Sequence, residues 1–152
     1  MRILILHGPN LNLLGRREPH MYGAITLEEL DSRLQALAVE LGAEALIRQS
    51  SHEGELVDFL HRHIDSAHGA IVNPAGLTQH GVSLHDAIKA MPFPVIEVHI
   101  TNIAAREPWR AHSIIAPAAR ATVQGLGWRS YAAALRALVE ILREENPGFR
   151  RD

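Results

Sequence analysis

Short apolar runs alternate with segments of helical periodicity along most of the chain. Short segments rich in apolar residues, at 2–6, 45–47, 70–72, 95–100 and 121–124, predict short strands, and the run at 2–6 is typical of a strand that is buried on both faces. Between most of them, apolar residues recur at spacings of three and four, which predicts helices. Because strands joined by helical crossovers form parallel sheets, we expect one doubly wound α/β domain.

Local signals indicate where the helices begin and end. Two capping-box patterns precede helical stretches, namely Thr26 with Glu29 and Ser50 with Glu53. Gly42 and Gly69 are well placed to end these two helices. A shorter helix is expected from about 83 to 90, and a last helix is expected to end before Pro147.

Hydrogen-bonding residues follow three of the predicted strands. They are His7 and Asn10 after the first, Asn73 after the third, and His99 with Thr101 after the fourth. Ligands of open parallel sheets bind beyond the carboxyl ends of the strands. Asparagine is also a common turn residue, but the coincidence at three strand ends favours a polar pocket. For His7 a structural role at the strand end is weighed against a place in the floor of the pocket.

The loop of about eighteen residues between the first strand and the first long helix is unusually long for its position. It carries Arg17 and Tyr22, with Gly15 and Gly23 as flexible ends. A nearby cation favours a tyrosine phenolate, which could act as a general base. The alternative is an exposed charged loop with one packed aromatic ring.

Composition removes several classes of protein. The 152 residues fit one domain, and the net charge of −2 does not suit a mainly electrostatic nucleic-acid binder. The absence of cysteine excludes thiol catalysis, and the 10 histidines show no cluster with zinc-ligand spacing. The N-terminal apolar run is too short for a signal peptide or a membrane span, so we expect a cytoplasmic protein without membrane contact.

Nucleotide cofactors are also disfavoured by the sequence. Gly8 and Gly15 do not have the offsets of a dinucleotide fingerprint, and the phosphate-loop pattern is absent. A flavin or phosphoacceptor domain with the same topology remains as an alternative class. The first strand, however, is followed neither by a phosphate-binding loop nor by an acidic pair.

Several motifs together resemble the type II 3-dehydroquinate dehydratases. They are GPNLNLLGRREP at 8–19, YG at 22–23, QSSHEGEL at 49–56, NPAG at 73–76, EVHITN at 97–102, the residues Arg106, Glu107, Arg110, His112 and Ser113, and GLG at 125–127. The resemblance runs from residue 2 to about 140. It implies a flavodoxin-like, five-stranded parallel sheet that forms a single catalytic domain over 1–146, with an active-site lid at about 15–24 and a C-terminal tail at 147–152.

The resemblance also implies a reaction and an assembly. The reaction is the anti elimination of water from 3-dehydroquinate to give 3-dehydroshikimate through an enolate, without a metal or an organic cofactor. It belongs to the shikimate pathway of aromatic amino acid biosynthesis, although quinate breakdown uses the same step. The expected assembly is a homododecamer, a tetramer of trimers.

The roles of individual residues follow from their places in the family's motifs. Tyr22 would remove the C2 proton, and Arg17 would lower its pKa. His99 would protonate the leaving hydroxyl, and Asn10 would help to hold a water that stabilises the enolate oxygen. Substrate contacts are expected from Asn73, Gln79, the backbone N–H groups of Ile100 and Thr101, Arg110 and, from a neighbouring subunit, Asp86.

One position departs from the family's pattern. Gln79 stands where the family usually has a histidine that contacts the substrate. A glutamine can donate and accept hydrogen bonds but cannot become charged, so a non-catalytic or weakened small-molecule-binding paralogue is the alternative reading. Glu97, two residues before His99, either orients the imidazole or forms an ion pair elsewhere.

Overall fold

Five parallel strands form the central sheet of the computed structural model, which describes residues 1–16 and 18–149. The strands are β1 (Arg2–His7), β2 (Glu44–Gln49), β3 (Gly69–Asn73), β4 (Val95–His99) and β5 (Ala121–Gln124). Their order in the sheet is β2-β1-β3-β4-β5, and all four pairings are parallel. The predicted doubly wound α/β fold is therefore confirmed, with the chain reversing its direction of progress between β1 and β3.

Helices cover both faces of this sheet. They are α1 (Pro19–Tyr22), α2 (Leu27–Glu40), α3 (Glu53–Arg62), α4 (Val82–Ala90) and α5 (Arg129–Glu145). Ile3 and Ile5 of β1 pack in the cluster that contains α2 and α5, whereas Leu4 and Leu6 pack with α3 and α4. This alternation explains why the strand reads as a continuous apolar run. Among the described residues, no helix is long and apolar enough to cross a bilayer.

The capping box of Thr26 and Glu29 is confirmed, with both reciprocal hydrogen bonds present. The second predicted box is wrong, because Ser50 does not cap α3. Its Oγ instead accepts the N–H of His52 at 2.9 Å. The carboxylate of Glu53 accepts the N–H of Leu84 near the start of α4, at 2.9 Å, so it joins two helices rather than closing its own.

Gly69 also differs from its predicted role. Helix α3 already ends at Arg62, and Gly69 begins β3. A Cβ at Gly69 would lie 3.1 Å from both Cδ atoms of Leu138 on α5. The glycine therefore allows close approach of a helix to the sheet rather than ending a helix.

Two predicted irregular regions contain short helical turns. The long loop after β1 holds a 3-10 turn at Leu11–Leu13 and helix α1, with left-handed backbone at Gly15 (φ 82°) and Gly23 (φ 78°). The region between β4 and β5 contains three 3-10 turns, at Ile103–Ala105, Pro108–Arg110 and Ala116–Ala118. These segments lie beside the carboxyl ends of the strands.

Candidate active site

A cavity of about 360 Å³ opens at the carboxyl ends of β1, β3 and β4. Its position is the point where the order of the strands reverses, which is the usual ligand site of such sheets. The lining residues are Pro9, Asn10, Leu11, Leu14, Asn73, Ala75, Gly76, Thr78, Gln79, His80, His99, Ile100, Thr101, Ile103, Arg106, Trp109 and Arg110. The polar pocket expected from three strand ends is present.

His99 and Glu97 form a buried pair on one face of β4. The His99 Nε2 lies 2.5 Å from Oε1 of Glu97, and the two residues are 5% and 0% exposed. Ser113 donates its hydroxyl to the same carboxylate oxygen at 2.7 Å, while the N–H groups of Ile115 and Ala116 donate to the Ser113 Oγ. The structure thus supports the orienting role of Glu97 over an ion pair elsewhere.

This arrangement leaves Nδ1 as the ring nitrogen of His99 that can serve the cavity. The other carboxylate oxygen of Glu97, Oε2, is buried and accepts no hydrogen bond from the described residues. The carboxylate of Glu97 therefore holds the imidazole in one orientation, with one ring nitrogen available for proton transfer in the cavity.

Two residues at the rim of the cavity adopt left-handed backbone conformations. Asn10 has φ 68° and Ala75 has φ 50°, and the second is uncommon for a residue with a Cβ. The side-chain oxygen of Asn73 accepts the Ala75 N–H at 3.1 Å and supports that turn. The chain bends sharply after β1 and β3, and both bends face the cavity.

Two arginines give the cavity a positive side. The Arg110 Nε lies 3.1 Å from Glu107, and the Arg106 Nε lies 3.6 Å from the same carboxylate. The backbone N–H of Glu107, with the two guanidinium groups, lowers the pKa of this carboxyl from 4.5. The Arg110 guanidinium also stacks on Trp109, 4.1 Å from the ring centre. A cavity with two such cations suits a small anionic ligand.

Gln79 holds the arginine-bearing segment in place. Its amide nitrogen donates to the carbonyl oxygen of Arg110 at 3.0 Å and to that of His112 at 3.4 Å. The neighbouring Thr78 carbonyl accepts the N–H of Ile114 at 2.9 Å. The predicted substrate contact of Gln79 is untested, but its amide nitrogen is engaged with the backbone of this loop.

Most of the predicted site residues come together around this cavity. Asn10, Asn73, Gln79, His99, Ile100, Thr101 and Arg110 all line it. Asp86 does not: it lies on α4 with its side chain 74% exposed, 2.9 Å from His85 Nδ1. Arg17 lies outside the described residues, and Tyr22 is placed only by its backbone, at the last position of α1.

Sequence reasoning did not assign a role to several residues that shape the site. Arg106, Trp109 and Ser113 belong to a segment without apolar periodicity, so their positions depend on the tertiary fold. Arg106 and Ser113 belong to the motif shared with the family, whereas the sequence carries no signal for Trp109. His7 has the predicted structural role, because it is fully buried and does not line the cavity.

A parallel α/β fold with an acid–base pair, amides and two arginines at its switch point defines a small-molecule site for proton-transfer chemistry. A family model described as Dehydroquinase class II matches residues 1–139. The chain belongs to this class II dehydroquinase family.

Known proteins match this chain in sequence and in structure along almost its whole length. The 3-dehydroquinate dehydratase of Roseiflexus castenholzii is 48% identical over 150 residues, which cover 99% of this chain and 95% of its own. The enzyme of that name from Thermus thermophilus is 48% identical over 148 residues, covering 97% and 99%. The crystal structure of a type II dehydroquinase from Propionibacterium acnes has a TM-score of 0.89 and 40% identity, covering 91% of this chain and 96% of that one.

Proposed function

We propose that this chain is a hydro-lyase that converts 3-dehydroquinate to 3-dehydroshikimate by anti elimination of water. The observation that carries the proposal is the buried pair of His99 and Glu97 at the edge of a cavity with two arginines. Membership of the dehydroquinase family supports the same reaction. The substrate is a carboxylate with several hydroxyls, which matches the cations and amides around the cavity.

The chemistry requires three groups. Tyr22, as the phenolate favoured by Arg17, removes the C2 proton, and the electron pair forms an enolate. The C1–O bond then breaks as His99 donates its proton, so the hydroxyl leaves as water. Proton return from Tyr22 to His99 through solvent completes the cycle. Because hydroxide is a poor leaving group, proton donation by His99 is needed in the transition state.

Substrate contacts complete this scheme. Asn10 helps to hold a water against the enolate oxygen, where fixed donors stabilise developing charge. Asn73, Gln79, Arg110 and the N–H groups of Ile100 and Thr101 bind the carboxylate and hydroxyls. All of these residues line the cavity, which supports the assignment.

The segment at about 15–24 is the proposed lid over this site. Gly15 and Gly23, both with left-handed backbone, flank it, and glycines allow a loop to change its direction at low cost. The catalytic domain covers 1–146, and 147–152 forms a tail. Closure of the lid would bring Tyr22 to the substrate and exclude water.

The proposed assembly is a dodecamer of four trimers in the cytoplasm, acting in aromatic amino acid biosynthesis. Asp86 supports such an assembly, because its exposed carboxylate lies outside the cavity of its own chain. It would reach the site of a neighbouring subunit. Light scattering of the purified chain measures the assembly directly, and a monomer would contradict this part of the proposal.

The test of the function is turnover of 3-dehydroquinate by the purified chain. Formation of the conjugated enone raises the ultraviolet absorbance, and a chelator should leave the rate unchanged. Tyr22→Phe and His99→Ala should each remove most of the turnover while the circular dichroism spectrum stays that of the wild type. An absence of any absorbance change in the wild type would refute the proposed activity, and a near-normal rate in Tyr22→Phe would refute the assignment of the base.

A further inference from the structure

Trp109 differs from the other large apolar residues that line the cavity, because it is exposed. Its exposed fraction is 62%, whereas Leu11, Leu14 and Ile103 are exposed by 7%, 5% and 9%. Among the described residues, neither of the two apolar clusters includes Trp109. Removing the indole should therefore cost little core packing, and its contacts at the cavity decide what it does.

The contact that Trp109 makes at the cavity is with Arg110. The Arg110 Cζ lies 4.1 Å from the centre of the indole ring, within the distance at which a guanidinium is attracted to an aromatic face. Both residues belong to the 3-10 turn Pro108–Arg110, so a short piece of backbone fixes the ring relative to the cation. The Arg110 side chain is 25% exposed, and such an attraction strengthens as water is removed.

Two further contacts hold other parts of Arg110. The Glu107 carboxylate lies 3.1 Å from Nε, and the Gln79 amide donates to the Arg110 carbonyl oxygen at 3.0 Å. Glu107 thus faces the Nε atom and Gln79 holds the backbone, whereas the indole covers one face of the guanidinium plane. Without the indole, the long side chain regains freedom to turn this plane.

The orientation of that plane matters because the terminal Nη groups of Arg110 carry its remaining N–H donors. No hydrogen bond joins these groups to another described residue, and Arg110 lines the cavity. A guanidinium donates its hydrogen bonds in its own plane, in a fixed fork. The direction of the plane therefore decides whether an oxygen of a bound molecule is reached.

We propose that the indole of Trp109 is a positioning group for Arg110, which keeps the Nη groups directed at an oxygen of the bound substrate. The identity of that substrate rests on the proposed function. A cation that is already ordered loses less side-chain freedom when the substrate binds, so it binds more tightly. Trp109 acts through Arg110 and is therefore a positioning residue rather than a catalytic one.

The test measures steady-state turnover of 3-dehydroquinate by variants of the full chain. Trp109→Leu keeps apolar bulk but removes the aromatic face. It should raise KM about 3- to 10-fold, the scale of one side chain that must be ordered, with kcat within about twofold. Trp109→Phe retains an aromatic face and should restore most of the loss. A wild-type KM in folded Trp109→Leu, or an equal rise in Trp109→Phe, would overturn the proposal.

A double-mutant cycle with Arg110→Met distinguishes action through Arg110 from a direct contact of the indole with the substrate. Arg110→Met should raise KM by itself. In that background Trp109→Leu should add less than about twofold, because the group that the indole positions is already gone. If the two factors multiply instead, the indole acts independently of Arg110 and the proposal is wrong.

Trp128→Leu is the matched control. Trp128 also has guanidinium groups over its ring, those of Arg33 at 4.9 Å and Arg129 at 5.5 Å, but it does not line the cavity. Its loss should lower the melting temperature without moving KM. An equal rise of KM in this control would mean that the effect is not specific to the stack on Arg110, which contradicts the proposal.

Binding of quinate separates this result from the proposed function. Quinate shares the carboxylate and ring hydroxyls of the substrate but lacks the ketone that makes the C2 proton acidic, so calorimetry measures binding without turnover. Trp109→Leu should weaken quinate binding about 3- to 10-fold, and much less when Arg110→Met is also present. If the wild type shows no turnover but this cycle holds, the proposed activity fails and the role of Trp109 stands. Equal affinities of the wild type and Trp109→Leu, or no binding of quinate to a wild type without turnover, would overturn that role.

Discussion

The Glu97 carboxylate meets Nε2 of His99 at 2.5 Å, with both side chains buried at the end of β4. Residues two apart on a strand share a face, so this contact follows directly from strand geometry. Ser113 binds the same oxygen of Glu97 from the loop before β5. The acid of the proposed reaction is therefore oriented by a charge that is itself held from another segment.

The charge of Glu97 should matter more than its hydrogen bond. In Glu97→Gln the amide oxygen still accepts from His99, but nothing compensates a proton on the imidazole. We expect kcat to fall about 10- to 100-fold with little change in KM, in a spectrophotometric assay with 3-dehydroquinate. Ser113→Ala keeps the carboxylate and removes one contact, so its kcat should fall much less. A wild-type kcat in Glu97→Gln would contradict this role.

Gln79 should act through the segment that carries Arg110. In Gln79→Glu the carboxylate cannot donate to the Arg110 and His112 carbonyls and repels them, so the segment should move and KM should rise about tenfold. Gln79→His supplies a ring N–H, and we expect its kcat/KM within about threefold of the wild type. A sharp gain of activity in Gln79→His would instead favour the weakened paralogue.

Asn146→Asp is the matched control for this change. The Asn146 amide donates to the carbonyl of Leu142 at 3.3 Å, at the far end of α5. The same amide-to-carboxylate exchange there should lower stability without changing KM. A similar rise of KM in Asn146→Asp would indicate a general loss of structure rather than movement of the Arg110 segment.

Local patterns were sufficient to predict much of the fold. Strand β5 begins at Ala121 and ends at Gln124 as expected, because its short run is bounded by polar residues and Gly125. The pattern of Ser50 and Glu53 failed, although it is formally the same as that of Thr26 and Glu29. Glu53 instead binds Leu84, 31 residues away, and no local pattern contains a contact of that range.

The residues of the candidate site likewise fall into those that the sequence could predict and those that it could not. Asn73 and His99 were predictable because they follow buried strands, and the topology of parallel sheets brings strand ends together. Arg106 and Trp109 lie between β4 and β5, where no periodicity indicates which side chain faces inward. The hydrogen bond between the His7 ring and the Tyr131 hydroxyl joins residues 124 positions apart, so only the packing of α5 on the sheet reveals it.

Glu55 should make stability depend on acid pH. The hydroxyl of Ser50, at 2.8 Å, and the Arg48 guanidinium, at 3.2 Å, lower the pKa of Glu55 from 4.5. A carboxyl whose pKa is lowered on folding contributes stability above its ordinary pKa and loses it as pH falls through the folded value. In urea denaturation, Glu55→Gln should therefore be less stable than the wild type at pH ~7 and nearly equal at pH ~3.

Glu144→Gln, at an exposed position on α5, is the control for the loss of one surface charge. Its free energy of unfolding should follow that of the wild type at both pH values. A deficit of Glu55→Gln that stays the same at both pH values would show that the ionised carboxylate is not the source of the stability.

A side chain at Gly8 should destabilise the fold, because the backbone after β1 closely approaches the turn after β3 at this position. A Cβ at this position would lie 2.4 Å from the Pro74 carbonyl oxygen and 2.7 Å from its carbon. We expect Gly8→Ala to lower the free energy of unfolding by about 1–3 kcal/mol and the melting temperature by several degrees. It should also raise KM, because Pro9 and Ala75 on either side of this contact line the cavity.

Gly54→Ala is the matched control: a Cβ at Gly54 meets nothing within 4 Å in α3, so alanine should leave KM unchanged and stabilise the chain by about 0.5 kcal/mol. Equal melting temperatures of the two variants would contradict the close approach at Gly8.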